Sequence, residues 1–183
     1  VLIVNEVLFD EKGNLLRPKK PLHESPGWFE NGKQIAPSEA KNIVRGHRYF
    51  LCVASIRNYN ICVTDNLFGV EPNNKKQIEK TSLGDYIVFY IMKEKEFGMV
   101  CRIASEIFED DTKIWEGGTY KHRVKLERVF DPHEHKKLDE FIRKNLNLFK
   151  KTNDKNWGCV LQKSIIEIDE DDFFKILGYL EKR

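Results

Sequence analysis

The sequence lacks an excess of charge of either sign: 31 Lys and Arg face 29 Asp and Glu, for a formal net charge of +2. A strongly basic tail is excluded, so any contact with nucleic acid must come from local patches. Long apolar runs are missing too. None approaches the ~20 residues a bilayer-spanning helix needs, and Val1–Val4 is broken by Asn5-Glu6 with no basic leader. No signal peptide and no membrane partner are therefore expected. The chain opens on Val1 rather than Met, which fits either processing or a piece of a longer protein. Cysteine is sparse and wrongly spaced for metal: Cys52, Cys62, Cys101 and Cys159 form no CxxC pair, which argues against zinc and for buried free thiols in a reducing cytoplasm. Gln is limited to Gln34, Gln77 and Gln162 while Lys and Glu abound, a balance that points to a thermophilic source. No GxxxxGK[ST] phosphate loop occurs, and neither a cofactor nor a resident metal is expected.

What the sequence does contain is apolar material for a core, 40% of its residues, and two textures. Residues 1–48 read as a hairpin and loop arm packed on the domain. Val1–Phe9 and Leu15-Leu16 flank Glu11–Asn14, a hairpin turn, and a long irregular stretch from Pro18 to Pro37 carries Trp28-Phe29 after Pro26-Gly27. Residues 49–183 are regular. Strands are expected at Tyr49–Ala54, Tyr86–Met92, Phe97–Ala104, around Val124 and Leu126, and over Cys159–Ile168. One helix is expected from an Asp131 cap, with Leu138, Phe141, Ile142 and Phe149 as its apolar stripe. A second is expected from Asp169, burying Phe173, Ile176, Leu177 and Leu180, its acids at the start and Lys182-Arg183 at the end. Mixed strands with helices at few points imply an α+β domain with a curled sheet or small barrel.

An ordered set of segments then carries a resemblance. Tyr49–Val53 leads to Leu67-Phe68-Gly69-Val70, then Leu83-Gly84-Asp85 before an apolar strand, then Phe97-Gly98-Met99-Val100, then Trp115-Glu116-Gly117-Gly118 with His122–Leu126. This order resembles the EVE domain of the PUA-like superfamily, a relative of the YTH domain, over roughly residues 49–183. The resemblance implies a small PUA-like β-barrel flanked by helices, with the N-terminal arm as an addition. It also implies a pocket for a flipped-out modified base, as YTH domains use for N6-methyladenine. A similar fold opens some archaeal McrB proteins, where it recognises methylated DNA beside a fused GTPase motor and a separate nuclease subunit. Methylated DNA, most readily N6-methyladenine, is thus the expected partner in a modification-dependent restriction system, and a stand-alone reader of modified RNA is the alternative.

A methylated base is a flat π-surface, and its capture calls for aromatic walls and a few polar groups for the ring edge. Phe68 sits where the family carries an aromatic, and is either a wall or a core residue. Trp115, on a loop before Gly117-Gly118, is the second wall. Trp157, in a polar loop, is a third wall or a lid over a helix end. Ser55, Arg57 and Asn58 follow the first strand where the resemblance implies base-edge contacts, though Ser55 also suits a helix cap. Asn58 and Asn66 are expected to act as a pair, since an Asn can match an adenine edge with both donor and acceptor. Lys75, Lys76, Lys80, Arg123 and the Lys150-Lys151…Lys155 stretch are candidates for phosphates or a solvated surface. Arg17, Lys19 and Lys20 near Trp28 and Phe29 suggest an aromatic wedge entering the duplex.

Catalysis has little to stand on. His133 and His135 read as solvated, and in the acidic cluster Glu109-Asp110-Asp111 the pair Asp110-Asp111 reads as a turn rather than part of a nuclease centre. Cys101 and Cys159 read as buried. A nucleotide hydrolase or transferase using Glu109 and Asp110, and a neutral interaction module, are the rival classes.

Overall fold

The computed structural model describes residues 2–4, 7–9, 26–150, 152 and 156–182. Its strands begin with β1 (Leu2–Val4), β2 (Val7–Phe9), β3 (Gly27–Glu30), β4 (Lys33–Ile35), β5 (Tyr49–Ala54) and β6 (Leu67–Val70). They continue with β7 (Tyr86–Ile91), β8 (Glu96–Ile103), β9 (Phe108–Glu109), β10 (His122–Asp131), β11 (Lys136–Lys137) and β12 (Ile165–Ile168). The helices are α1 (Pro37–Ile43), α2 (Ile56–Asp65), α3 (Lys75–Ile78), α4 (Glu140–Asn145), α5 (Asn147–Lys150) and α6 (Glu170–Glu181).

Every residue of β5 and β7 is buried, and the fold is arranged round those two strands. They pair in parallel, Tyr49 opposite Tyr86 through Ala54 opposite Ile91. Strand side chains alternate between faces, so burial on both faces requires two cores. Tyr49, Leu51, Val53, Tyr86, Val88 and Tyr90 join Phe173, Ile176, Leu177 and Leu180 of α6 on one face. Phe50, Cys52, Ala54, Ile87, Phe89 and Ile91 join Tyr59, Cys62 and Val63 of α2 on the other, with Phe68, Trp115 and Val124. Burying each large apolar side chain is worth about 1.5–3 kcal/mol, so this double interface dominates the stability of the domain.

The path of the large sheet is β12-β5-β7-β8-β10-β3-β4, with β6 and β9 on β10 and β11 on β8. β10 is ten residues long. Its first half pairs with β6 and its second with β8 and β3, so the sheet curls over the second core. This is the small, curled α+β fold expected. Curvature has local causes. Gly98 and Met99 together face Phe89 across β7–β8, a bulge, and the Met99 N–H donates to the Tyr59 hydroxyl at 3.2 Å. A Cβ at Gly98 would come within 2.9 Å of the Tyr59 ring, so glycine lets helix and bulge touch.

Several expectations need correction. Val1–Phe9 is not one strand: Leu2–Val4 pairs back on Val7–Phe9, while the Glu11–Asn14 turn lies outside the described residues. Residues 27–44 contribute to both the sheet and the core. β3 pairs with β10, Trp28 opposite Phe130, and Trp28, Ala40 and Val44 are members of the first core. The helix expected from Asp131 starts at Glu140, capped by Asp139, whose carboxylate accepts from the Ile142 N–H at 2.8 Å. Asp131 instead ends β10, paired with Gly27. Phe141 is 73% exposed rather than on the buried stripe, and Phe149 belongs to the separate α5. Of Cys159–Ile168 only the last four residues are strand; Trp157–Gln162 is a 3-10 helix, and Cys159 is exposed. The final helix is as expected, capped by Asp169 and burying the four named side chains.

Candidate functional site

A cavity of ≈370 Å³ opens beside the second core, between the start of α2, the 115–120 loop and the segment leading into β12. That volume falls in the range of small-ligand pockets. Phe68, Trp115 and Tyr120 supply aromatic surface, and Ser55, Asn58, Gln162 and Ser164 supply polar groups. The first two rings are mostly sunk, 3% and 7% exposed, and serve as cavity wall and core at once. They are not a stacked pair. Trp115 lies against Tyr120, centroids 5.6 Å apart, whereas Phe68 packs edge-on to Phe89 at 6.1 Å.

The loop carrying Trp115 and Tyr120 is held from two sides. Asn58, in the first turn of α2, accepts from the Glu116 N–H at 3.0 Å and donates to the Glu116 carbonyl at 3.1 Å. Arg57 adds an ion pair to Glu116 at 2.7 Å. Ser55 caps the helix by accepting from the Asn58 N–H at 3.2 Å, which fixes where Asn58 starts from. On the other side, the buried Arg123 donates to the carbonyls of Thr112, Thr119 and Tyr120, and pairs with Asp110 at 2.8 Å. Its guanidinium lies 4.9 Å over the Trp115 ring. β6 completes the seat: a Cβ at Gly69 would stand 3.0 Å from the Trp115 ring and 2.9 Å from the Tyr120 carbonyl oxygen. The Trp115 N–H is directed to the Cys62 sulfur at 3.3 Å, and burial pushes that thiol up to about 12.

The cavity brings together Phe68, Trp115, Ser55 and Asn58, though the last two are engaged in holding backbone. It does not gather the rest. Asn66 is exposed at the C-cap of α2 in a left-handed conformation (φ 53°), so the expected Asn58–Asn66 pair does not form. Trp157 packs on the first core, edge-on to Phe149 at 5.7 Å, because the 3-10 turn places it on the other face. Arg123 is 1% exposed and cannot meet a phosphate. Trp28 and Phe29 are 2% and 7% exposed; the Trp28 N–H donates to Glu181 at 3.1 Å and Arg128 covers Phe29 at 3.6 Å. A wedge needs a free ring, and these rings are sheet core. Lys75, Lys76, Lys80 and Lys150 are exposed, with Lys75 near Glu79 and Glu109 and Lys150 bonded to Asn147. Lys151, Lys155, Arg17, Lys19 and Lys20 lie outside the described residues. Sequence reasoning missed Tyr120, Gln162 and Lys163 at the cavity; Tyr120, two residues past Gly117-Gly118, was the legible one.

Other polar clusters have structural employment. Among the described residues one carboxylate trio, Asp169, Asp171 and Asp172, comes close together. Asp169 caps α6, Asp172 accepts from the Asn147 and Leu148 N–H groups, and Asp171 pairs with Lys175. His135 is partly buried rather than fully solvated: its Nε2 lies 3.2 Å from the Tyr59 hydroxyl. No helix among the described residues is long and apolar enough to cross a membrane.

Fold and site together define a mixed α+β domain with a curled sheet and one aromatic-walled cavity beside its second core. The chain belongs to the EVE domain family, whose model matches residues 48–179. The UPF0310 protein PH1033 of Pyrococcus horikoshii is 25% identical over 142 residues, 68% of this chain and 93% of the relative. The fold is similar to the YTH domain of the Zygosaccharomyces rouxii MRB1 protein, solved in complex with N6-methyladenosine RNA. That match has a TM-score of 0.57 at 18% identity and covers 76% of this chain and 87% of that one. It is also similar to a hypothetical protein from Leishmania major, with a TM-score of 0.53 at 15% identity over 75% and 97% of the two chains.

Proposed function

We propose that the domain binds nucleic acid by accepting one modified base, N6-methyladenine, into the cavity walled by Phe68, Trp115 and Tyr120. The observation that carries this reading is the cavity itself, which joins aromatic walls to a polar edge in an EVE-family chain. Stacking on an aromatic is worth about 1–3 kcal/mol per base, enough to offset much of the few kcal/mol needed to take a base out of a duplex. A thiol held protonated at the cavity floor is a poor nucleophile, so Cys62 supports binding rather than catalysis there. Exposed Lys75, Lys76, Lys80 and Lys150, with Lys163 at the cavity, are the proposed backbone contacts. Free thiols such as Cys62 suit the reducing cytoplasm in which we place the protein.

In the first reading the nucleic acid is methylated DNA, and the domain is the recognition module of an McrBC-type restriction system whose GTPase and nuclease lie elsewhere. The second reading, a stand-alone reader of modified RNA, is favoured by the similar YTH domain having been solved with N6-methyladenosine RNA.

A panel of matched DNA and RNA oligonucleotides carrying N6-methyladenine, 5-methylcytosine or no mark tests both. N6-methyladenine should be bound about fourfold more tightly than the plain base, the worth of one buried methyl, and the sugar that gives the larger ratio decides between the readings. Trp115→Leu removes the π-face together with core packing, and, measured at a temperature where both proteins are folded, should lower affinity for the marked strand more than for the plain one. Equal affinity for marked and plain strands sinks the proposal.

A further inference from the structure

We infer that Tyr120 is a hydrogen-bond donor to the captured base, so the cavity selects a base edge that presents a bare acceptor to it. This rests on the base-binding reading above and goes beyond it, because it assigns the direction of one hydrogen bond.

The argument begins at the Glu116 backbone. Its N–H needs an acceptor and its carbonyl a donor, and Asn58 meets both, at 3.0 and 3.1 Å. Turning the Asn58 amide over would set oxygen against oxygen and N–H against N–H. The backbone therefore fixes which end of that amide is nitrogen, an assignment usually left to the surrounding network. The same Nδ2 lies 3.4 Å from the Tyr120 hydroxyl, and an amide nitrogen can only donate. The phenol oxygen thus accepts from Asn58, and its own proton must point elsewhere. Among the described residues no hydrogen bond from that proton to the protein is recorded, and Tyr120 lines the cavity.

Two further observations keep the phenol protonated and in place. Burial raises its pKa above the ordinary tyrosine value, and the charge of Glu71 adds to the effect. The backbone at Tyr120 is left-handed, with φ at 49°. Such a conformation costs a bulky residue on the order of 1–3 kcal/mol and persists only where surroundings enforce it. Here Arg123 holds the Tyr120 carbonyl at 3.0 Å and the bare Cα of Gly69 leaves it room. The chain thus maintains a costly backbone state at a residue that lines the cavity.

The ligand class follows. A purine offers acceptors at unsubstituted ring nitrogens, so a base protonated or alkylated at the nitrogen facing Tyr120 would be refused. The test uses N6-methyladenine oligonucleotides in which N1, N3 or N7 is replaced by C–H, measured on the parent and on Tyr120→Phe. The parent should lose about three- to tenfold on one of the three analogues, the worth of a neutral hydrogen bond. Tyr120→Phe should lose a similar factor on the unmodified ring and suffer no additional loss on that same analogue. Glu71→Gln should leave this pattern intact, since the argument needs no bond to Glu71. The inference is overturned if Tyr120→Phe binds like the parent, or if its loss on the analogue is undiminished. Should Tyr120→Phe not fold, a parent indifferent to all three replacements overturns it equally. A parent that prefers no marked strand removes the underlying reading as well, a result distinct from a retained preference that ignores Tyr120.

Discussion

Asp131 ends β10 with 1% of its surface exposed and one recorded cation, Arg128, at 3.4 Å. Burial outweighs that attraction and pushes its carboxyl up to about 6. The folded protein therefore holds this proton to higher pH than the unfolded chain, whose carboxyl titrates near 4. The group is without penalty below about pH 4, and stability falls as pH rises from there to about 6. Asp131→Asn should raise stability above pH 6 by about 3 kcal/mol, and its advantage should shrink towards zero by pH 4. Urea midpoints of both proteins across that window check the sign; a constant difference would refute it. At this scale Trp115 could be found from its glycine-flanked loop. The roles of Asn58 and Arg123 could not. Each has the chemistry of a ligand contact, and only the fold reveals that backbone groups of residues 112–120 claim them first.

Gly69 shows what an element contributes to the site. β6 lies under the loop so closely that an added Cβ would meet both the Trp115 ring and the Tyr120 carbonyl. Overpacking of this kind costs about 1–3 kcal/mol, so Gly69→Ala should lower the urea midpoint by that order and disturb the Trp115 fluorescence. Unchanged stability and spectrum would mean the seat is looser than drawn. Elements with local signals were readable: α6 declares its cap, acids and buried stripe within twelve residues. The start of α4 was not readable because Asp131 and Asp139 are equally good caps locally. What excludes Asp131 is a ladder to Gly27, more than a hundred residues away in sequence.

For the whole molecule, the family match begins at residue 48, yet the first core begins with Trp28. A chain starting at residue 46 would leave the Phe130–Asp131 end of β10 without its β3 partner and remove Trp28, Ala40 and Val44 from their neighbours. Losing one buried Trp side chain alone costs about 3–5 kcal/mol, so this truncation should unfold at markedly lower urea or aggregate. A truncated chain as stable as the full one would show that residues before 46 add nothing to the core. The irregular look of residues 18–37 concealed a readable hairpin signal. Asn31 and Gly32, both at positive φ, join β3 to β4, the two-residue turn that such dipeptides favour.

Phe68, Trp115 and Cys62 are cavity floor and inner packing in one. Descendants of this chain cannot retune their taste in ligand by exchanging those side chains without loosening the scaffold. Divergence in preference must then accumulate at the lip, where Met92, Gln162 and Lys163 border the same opening but are exposed to solvent. Those three positions are where kindred proteins with different appetites should differ.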